Sequence, residues 1–117
     1  MQLMVVATER PGAGFPMPRQ VNWRGRSGRF YALAPERLET FVLARDRLYL
    51  LARGSLPVWV GSADDVIHDA ASRARFRLAL AAADRAFAVE AGADDLVRAT
   101  TVWDLEGAEP VSGLSAA

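Results

Sequence analysis

The chain has no cysteine and no lysine, one histidine (His68) and one asparagine (Asn22). Without cysteine there is no disulfide, no thiol nucleophile and no thiolate-ligated metal, and a cytoplasmic location is expected. With one histidine a two-histidine zinc site is excluded, and His68 is the sole imidazole available as a general base. No apolar run approaches 18 residues, so no helical membrane span is expected. The start, Met1-Gln-Leu-Met-Val-Val-Ala, is short for a signal segment and lacks a basic lead, so secretion is not expected; Met17 offers a second translational start. Lysine is missing while alanine is abundant, which reads as the coding bias of a GC-rich, bacterial genome. All fourteen basic residues are therefore arginine, a planar fork that stacks on aromatics and grips anions.

Charge is present but unevenly placed. The formal net charge is zero, yet residues 1–60 hold nine Arg against four acids, and residues 61–117 hold five Arg against ten acids. Arg10 to Arg29 carries five Arg and no acid. A segment with no internal counter-charge attracts anions or an acidic surface, and the chain's own acidic half is the first candidate. The length of 117 residues and the 51% apolar content suit one ordinary globular domain.

Along the chain, residues 1–18 are broken by Pro11, Gly12, Gly14, Pro16 and Pro18 and read as loosely ordered, with Leu3 to Ala7 able to add an edge strand. Residues 19–109 read as a single domain and 110–117 as a frayed tail. Val21–Trp23 and Arg29–Leu33 read as two strands around a Gly25/Ser27/Gly28 turn with positive φ; Phe30 and Ala32 face one way, Tyr31 and Leu33 the other. Residues 35–54 are ambiguous. A helix is framed by Pro35 and Gly54, but its apolar stripe would include Arg45. Strands at Thr40–Ala44 and Leu48–Ala52 about a charged turn divide the segment better, followed by Val58–Val60.

Beyond Gly61, Ser62-Ala-Asp-Asp65 is a capping-box-like start for a short helix through Val66 and Ile67. Asp69 or Ser72 then caps a long Ala/Leu/Arg helix near residues 70–89, whose sheet-facing stripe is Phe76, Leu80, Ala83 and Phe87. Thr100–Asp104 reads as a last strand. Trp103 reads as closing the core from that strand, in preference to serving as an exposed interface anchor. The expected fold is α+β: a small, mostly antiparallel sheet of about 4–6 strands packed by one long helix.

Three constellations bear on function. Arg19, Trp23, Arg24, Arg26, Arg29 and Tyr31 interleave basic and aromatic side chains around glycines, a candidate anion-gripping or protein-docking surface. Nucleic acid is the alternative ligand, although a near-neutral isoelectric point is unusual for such binders. Asp64, Asp65, His68 and Asp69 fall at helical spacing as a conceivable divalent-metal set, but acids at helix starts already complement the dipole, and no metal is assigned. No G-x-S-x-G elbow, P-loop or dinucleotide fingerprint is found.

Gly28-Arg29-Phe30-Tyr31 and Val58-Trp59-Val60-Gly61, the second leading into a capped helix, resemble the two short motifs of GIY-YIG nucleases. The resemblance covers about ten residues and implies a nucleic-acid-cleaving alternative, with Tyr31 and Arg73 as its testable residues. It departs from the family in the 27 residues between Tyr31 and Trp59 and in Trp59 itself, which stands for a tyrosine. The expectation is a small non-enzymatic bacterial binding or adaptor protein. It needs no cofactor or catalytic residue, and its basic hairpin docks an acidic protein partner or a second copy, away from membranes.

Overall fold

The computed structural model describes residues 20–90, 92 and 94–111. Arg19, the Pro/Gly-rich start and the end of the C-terminal tail lie outside the described residues.

Among the described residues, six strands form one antiparallel sheet: β1 (Val21–Arg24), β2 (Phe30–Glu36), β3 (Leu48–Arg53), β4 (Leu56–Ser62), β5 (Arg85–Val89) and β6 (Glu109–Pro110), in spatial order β4-β3-β5-β2-β1-β6. Among the described residues, three α-helices complete the α+β fold: α1 (Ala63–His68), α2 (Ala70–Ala82) and α3 (Asp95–Glu106). No helix among the described residues is long and apolar enough to cross a membrane.

Strand alternation gives the sheet two buried faces. Leu48 and Leu50 of β3, Val60 of β4 and Phe87 and Val89 of β5 join Trp23, Leu33 and Leu105 of α3 in one core layer. Tyr49, Leu51, Trp59, Ala86 and Ala88 face the other way and pack with Ala79 and Phe76 of α2. Helices α3 and α2 thus cover opposite faces of the sheet.

The β1–β2 hairpin forms as its sequence indicates, with Gly28 at φ 92 in the turn. Leu33 is buried while Phe30 is exposed, as the alternation requires. The β3–β4 hairpin turns on Gly54 and Ser55, with Gly54 at φ 59, where a residue without Cβ is unstrained. Ser62 caps α1 in a reciprocal capping box with Asp65, and Asp69 caps α2 by accepting from the Ser72 N–H.

Three expected elements differ. The helix near 70–89 ends at Ala82, and Arg85–Val89 is instead an inner strand between β3 and β2. Ala83 turns extended, and Asp84 is pinned to the β3–β4 hairpin: its N–H donates to the Ala52 carbonyl, and its carboxylate accepts from the Gly54 N–H. Arg53 also donates to the last helical carbonyl, Ala82. Phe87 and Val89 therefore face α3, opposite the α2 side where a continued helical stripe would put Phe87. The α2 contact is Phe76, Ala79 and Ala83, while Leu80 is partly exposed and Leu78 lies in solvent.

Thr40–Ala44 is not a strand. A 3-10 turn at Leu38–Thr40 leads to an irregular stretch in which Phe41 meets Tyr49 edge-on at 5.3 Å, and the Tyr49 hydroxyl accepts from the Ala44 N–H. Thr100–Asp104 belongs to α3, where Thr100 and Thr101 donate their hydroxyls to the Leu96 and Val97 carbonyls. That bond lets a β-branched threonine sit comfortably in a helix. Pro110, expected in the frayed tail, pairs with Trp23 in β6.

Candidate docking site

The site grows from the turn between β1 and β2. Gly25 donates to the Arg29 carbonyl at 2.7 Å and Gly28 to the Gly25 carbonyl at 2.9 Å, closing a tight loop that projects Arg26 and Ser27 toward the C-terminal end of α3. The Arg26 N–H bonds the Asp104 carbonyl at 3.0 Å. The Asp104 carboxylate accepts from the Ser27 N–H, the Ser27 hydroxyl and the Tyr31 hydroxyl, each at 2.7 Å. A Cβ on Gly25 would overlap that carboxylate, so the close approach requires glycine here.

Asp104 is 2% exposed. Burial alone would push its carboxyl upward, but the hydrogen bonds from Tyr31 and Ser27 and the nearby Arg29 outweigh it and hold the group below its ordinary value. Tyr31 moves the opposite way. Burial, the bond to Asp104 and the Asp104 charge push its hydroxyl up to about 12. The pair is thus a carboxylate and a neutral phenol, each stabilised by the other.

Above this anchor lies an exposed basic and aromatic surface. The Arg26 guanidinium stacks on the Trp103 ring at 4.7 Å from its centroid and donates from Nε to the Trp103 carbonyl at 2.9 Å. It also packs against Gly107, the residue that ends α3. Trp103 remains 50% exposed. Arg29 lies over the Tyr31 ring at 5.3 Å. A hydrogen bond and stacking fix Arg26, and stacking alone holds Arg29, while both stay exposed.

Of the sequence-selected residues, Arg26, Arg29 and Tyr31 come together here. Arg24 points to the opposite sheet face and pairs with Glu109 across β1 and β6. Trp23 is a correction: it is fully buried, edge-on to Phe87 at 5.5 Å, and belongs to the core rather than to a contact surface. Arg19 is outside the described residues. Sequence reading missed Ser27 and Asp104 as anchors and placed Trp103 in the core. The i, i+7 relation of Leu96 and Trp103, opposite Thr101, Asp104 and Leu105, was the available signal.

The acidic set at residues 64–69 has structural employment. Asp65 and Asp69 cap helices, Asp64 lies 3.8 Å from Arg45, and the bonds from Ser72 hold the Asp69 carboxyl below its ordinary value. No group of three or more metal-ligating side chains occurs among the described residues. Tyr31 and Trp59, the paired aromatics of the nuclease resemblance, lie on opposite sheet faces with β5 and β3 between their strands. Arg73 donates to the Val66 and Ile67 carbonyls.

Comparison with known proteins yields no match: no family model, no curated protein and no solved structure matches this chain.

Proposed function

We propose that this chain is a non-enzymatic docking module that binds an acidic protein surface through Arg26, Arg29 and Trp103. One observation carries the reading. The basic turn is locked onto α3 by Asp104, which leaves a half-exposed tryptophan under a stacked arginine. Trp and Arg dominate binding hot spots, and holding them in place before binding lowers the ordering cost. The ionisable groups beneath the surface serve to fasten the turn: Asp104 is saturated with donors, and Tyr31 stays neutral far above neutral pH.

The test is a fluorescence titration with a short Glu/Asp-rich peptide carrying one leucine, alongside a single-stranded oligonucleotide of equal charge. The expected result is a salt-weakened response to the peptide that disappears in Arg26→Ala and in Trp103→Ala. No response to the peptide overturns the proposal. A response to the oligonucleotide alone places the chain among nucleic-acid binders instead.

A further inference from the structure

Gly107 ends α3 at φ -110, ψ 20. Those angles are open to residues with a side chain, and they are not the left-handed cap that favours glycine, so the backbone does not call for glycine here. The space does. A Cβ on Gly107 would lie 3.0 Å from both Cβ and Nε of Arg26 and 3.2 Å from its Cζ. Arg26 cannot back away at its base, because its N–H is bonded to the Asp104 carbonyl at 3.0 Å. Farther out, its guanidinium stacks on Trp103, and Nε donates to the Trp103 carbonyl at 2.9 Å. That carbonyl lies in the last turn of α3, where carbonyls lack helical partners. Nε is thus used within the protein. Nη1 and Nη2 have no hydrogen-bond partner among the described residues, and Arg26 is exposed.

Resting on the docking-module reading, we infer that Gly107 is a positioning residue of the site: the room left by its missing side chain seats Arg26 on Trp103 and presents the Nη1/Nη2 edge to one side-chain carboxylate of the acidic partner. Two parallel N–H bonds from that edge match the two oxygens of a carboxylate, which gives direction as well as attraction. A lysine ammonium has no such planar fork. A methyl group at position 107 meets the fixed base of Arg26 and its Nε, so the outer part of the side chain swings off the ring. The arginine then has to be ordered anew each time the partner binds, and affinity falls although no contact residue has changed.

Acrylamide quenching of tryptophan emission tests the seating directly. Trp103 is 50% exposed, whereas Trp23 and Trp59 are 0% and 8% exposed, so the quencher reads chiefly Trp103. Gly107→Ala should raise the quenching constant to that of Arg26→Gly, which removes all three atoms the methyl would meet. Adding Gly107→Ala to Arg26→Gly should change it no further. Gly107→Ala should also weaken binding of the Glu/Asp-rich peptide about three- to tenfold, the cost of ordering one long side chain. Circular dichroism checks the fold. A fold lost in Gly107→Ala and restored by Arg26→Gly locates the clash at Arg26, as inferred; a fold not restored overturns the inference, because the methyl then meets something else. Unchanged quenching and affinity in Gly107→Ala, with the parent chain binding the peptide, overturn the positioning role and spare the docking module. Raised quenching in a protein that never binds the peptide overturns the docking module, while the seating of Arg26 by Gly107 stands.

Discussion

The Tyr31 hydroxyl donates to the Asp104 carboxylate at 2.7 Å, joining the arginine-rich half of the chain to its acidic half. Tyr31 comes from β2 and Asp104 from α3, 73 positions later in sequence. The basic hairpin thus meets its first acidic partner within its own chain. Arg24 does the same on the other sheet face through Glu109. Arg26 and Arg29 remain exposed in the same hairpin.

The pair has opposite consequences at the two ends of the pH scale. Tyr31 is raised from 10.0 to about 12 on folding, so its contribution is full below pH 10 and is lost as pH rises through about 12. Asp104 is lowered from 3.8, so its contribution is present above that value and is lost as pH falls through its depressed folded value. An alkaline absorbance titration should show a late phenolate step near pH 12 that is absent in Tyr31→Phe. In Asp104→Asn that step should move toward 10 without reaching it, since burial, the largest cause, remains.

Gly25 is held to glycine by the Asp104 carboxylate rather than by its backbone angles. Gly25→Ala should destabilise the protein by about 2 kcal/mol in urea unfolding, as overpacking against a fixed buried group does. In an Asp104→Ala background the same substitution should cost clearly less, because the overlapping carboxylate is gone. Equal cost in both backgrounds would place the strain elsewhere.

The strand at residues 85–89 is testable through Phe87, which the long-helix reading places on the α2 stripe, compared with Leu78 of α2. Phe87 is 1% exposed, so Phe87→Ala should cost about 3–5 kcal/mol. Leu78 is 74% exposed, so Leu78→Ala should cost within about 0.5 kcal/mol. Thermal or denaturant unfolding of both variants checks the difference.

Where sequence signals were local, they specified structure well. The glycine turn after Arg24, the Ser62/Asp65 capping box, the Asp69 cap and the in/out order of Phe30 to Leu33 all depend on neighbours a few positions apart. The misses share a different cause. Ala86 and Ala88 have strong helix preference, but β5 is fixed by partners on β3 and β2, and Asp84 halts the helix through Gly54, 30 positions away. Thr100 to Asp104 alternates like a strand, yet the Asp94 cap and the burial of Asp104 and Leu105 against the sheet make it helical. Tertiary contacts override weak propensity in each case. The basic hairpin was visible as a candidate surface. Its anchor was not, because nothing local links Ser27 and Tyr31 to a carboxylate more than 70 positions away.

The anchoring of the hairpin on α3 is measured most directly by a double-mutant cycle of Tyr31→Phe with Asp104→Ala in urea unfolding. Asp104→Ala alone should cost about 3 kcal/mol, since it strands two Ser27 donors and the tyrosine hydroxyl. The cycle should give a coupling energy of about 1.5 kcal/mol or more, the range of a hydrogen bond to a charged acceptor. Single-variant costs that add to within about 0.5 kcal/mol would contradict the account, because residues that share no interaction behave that way.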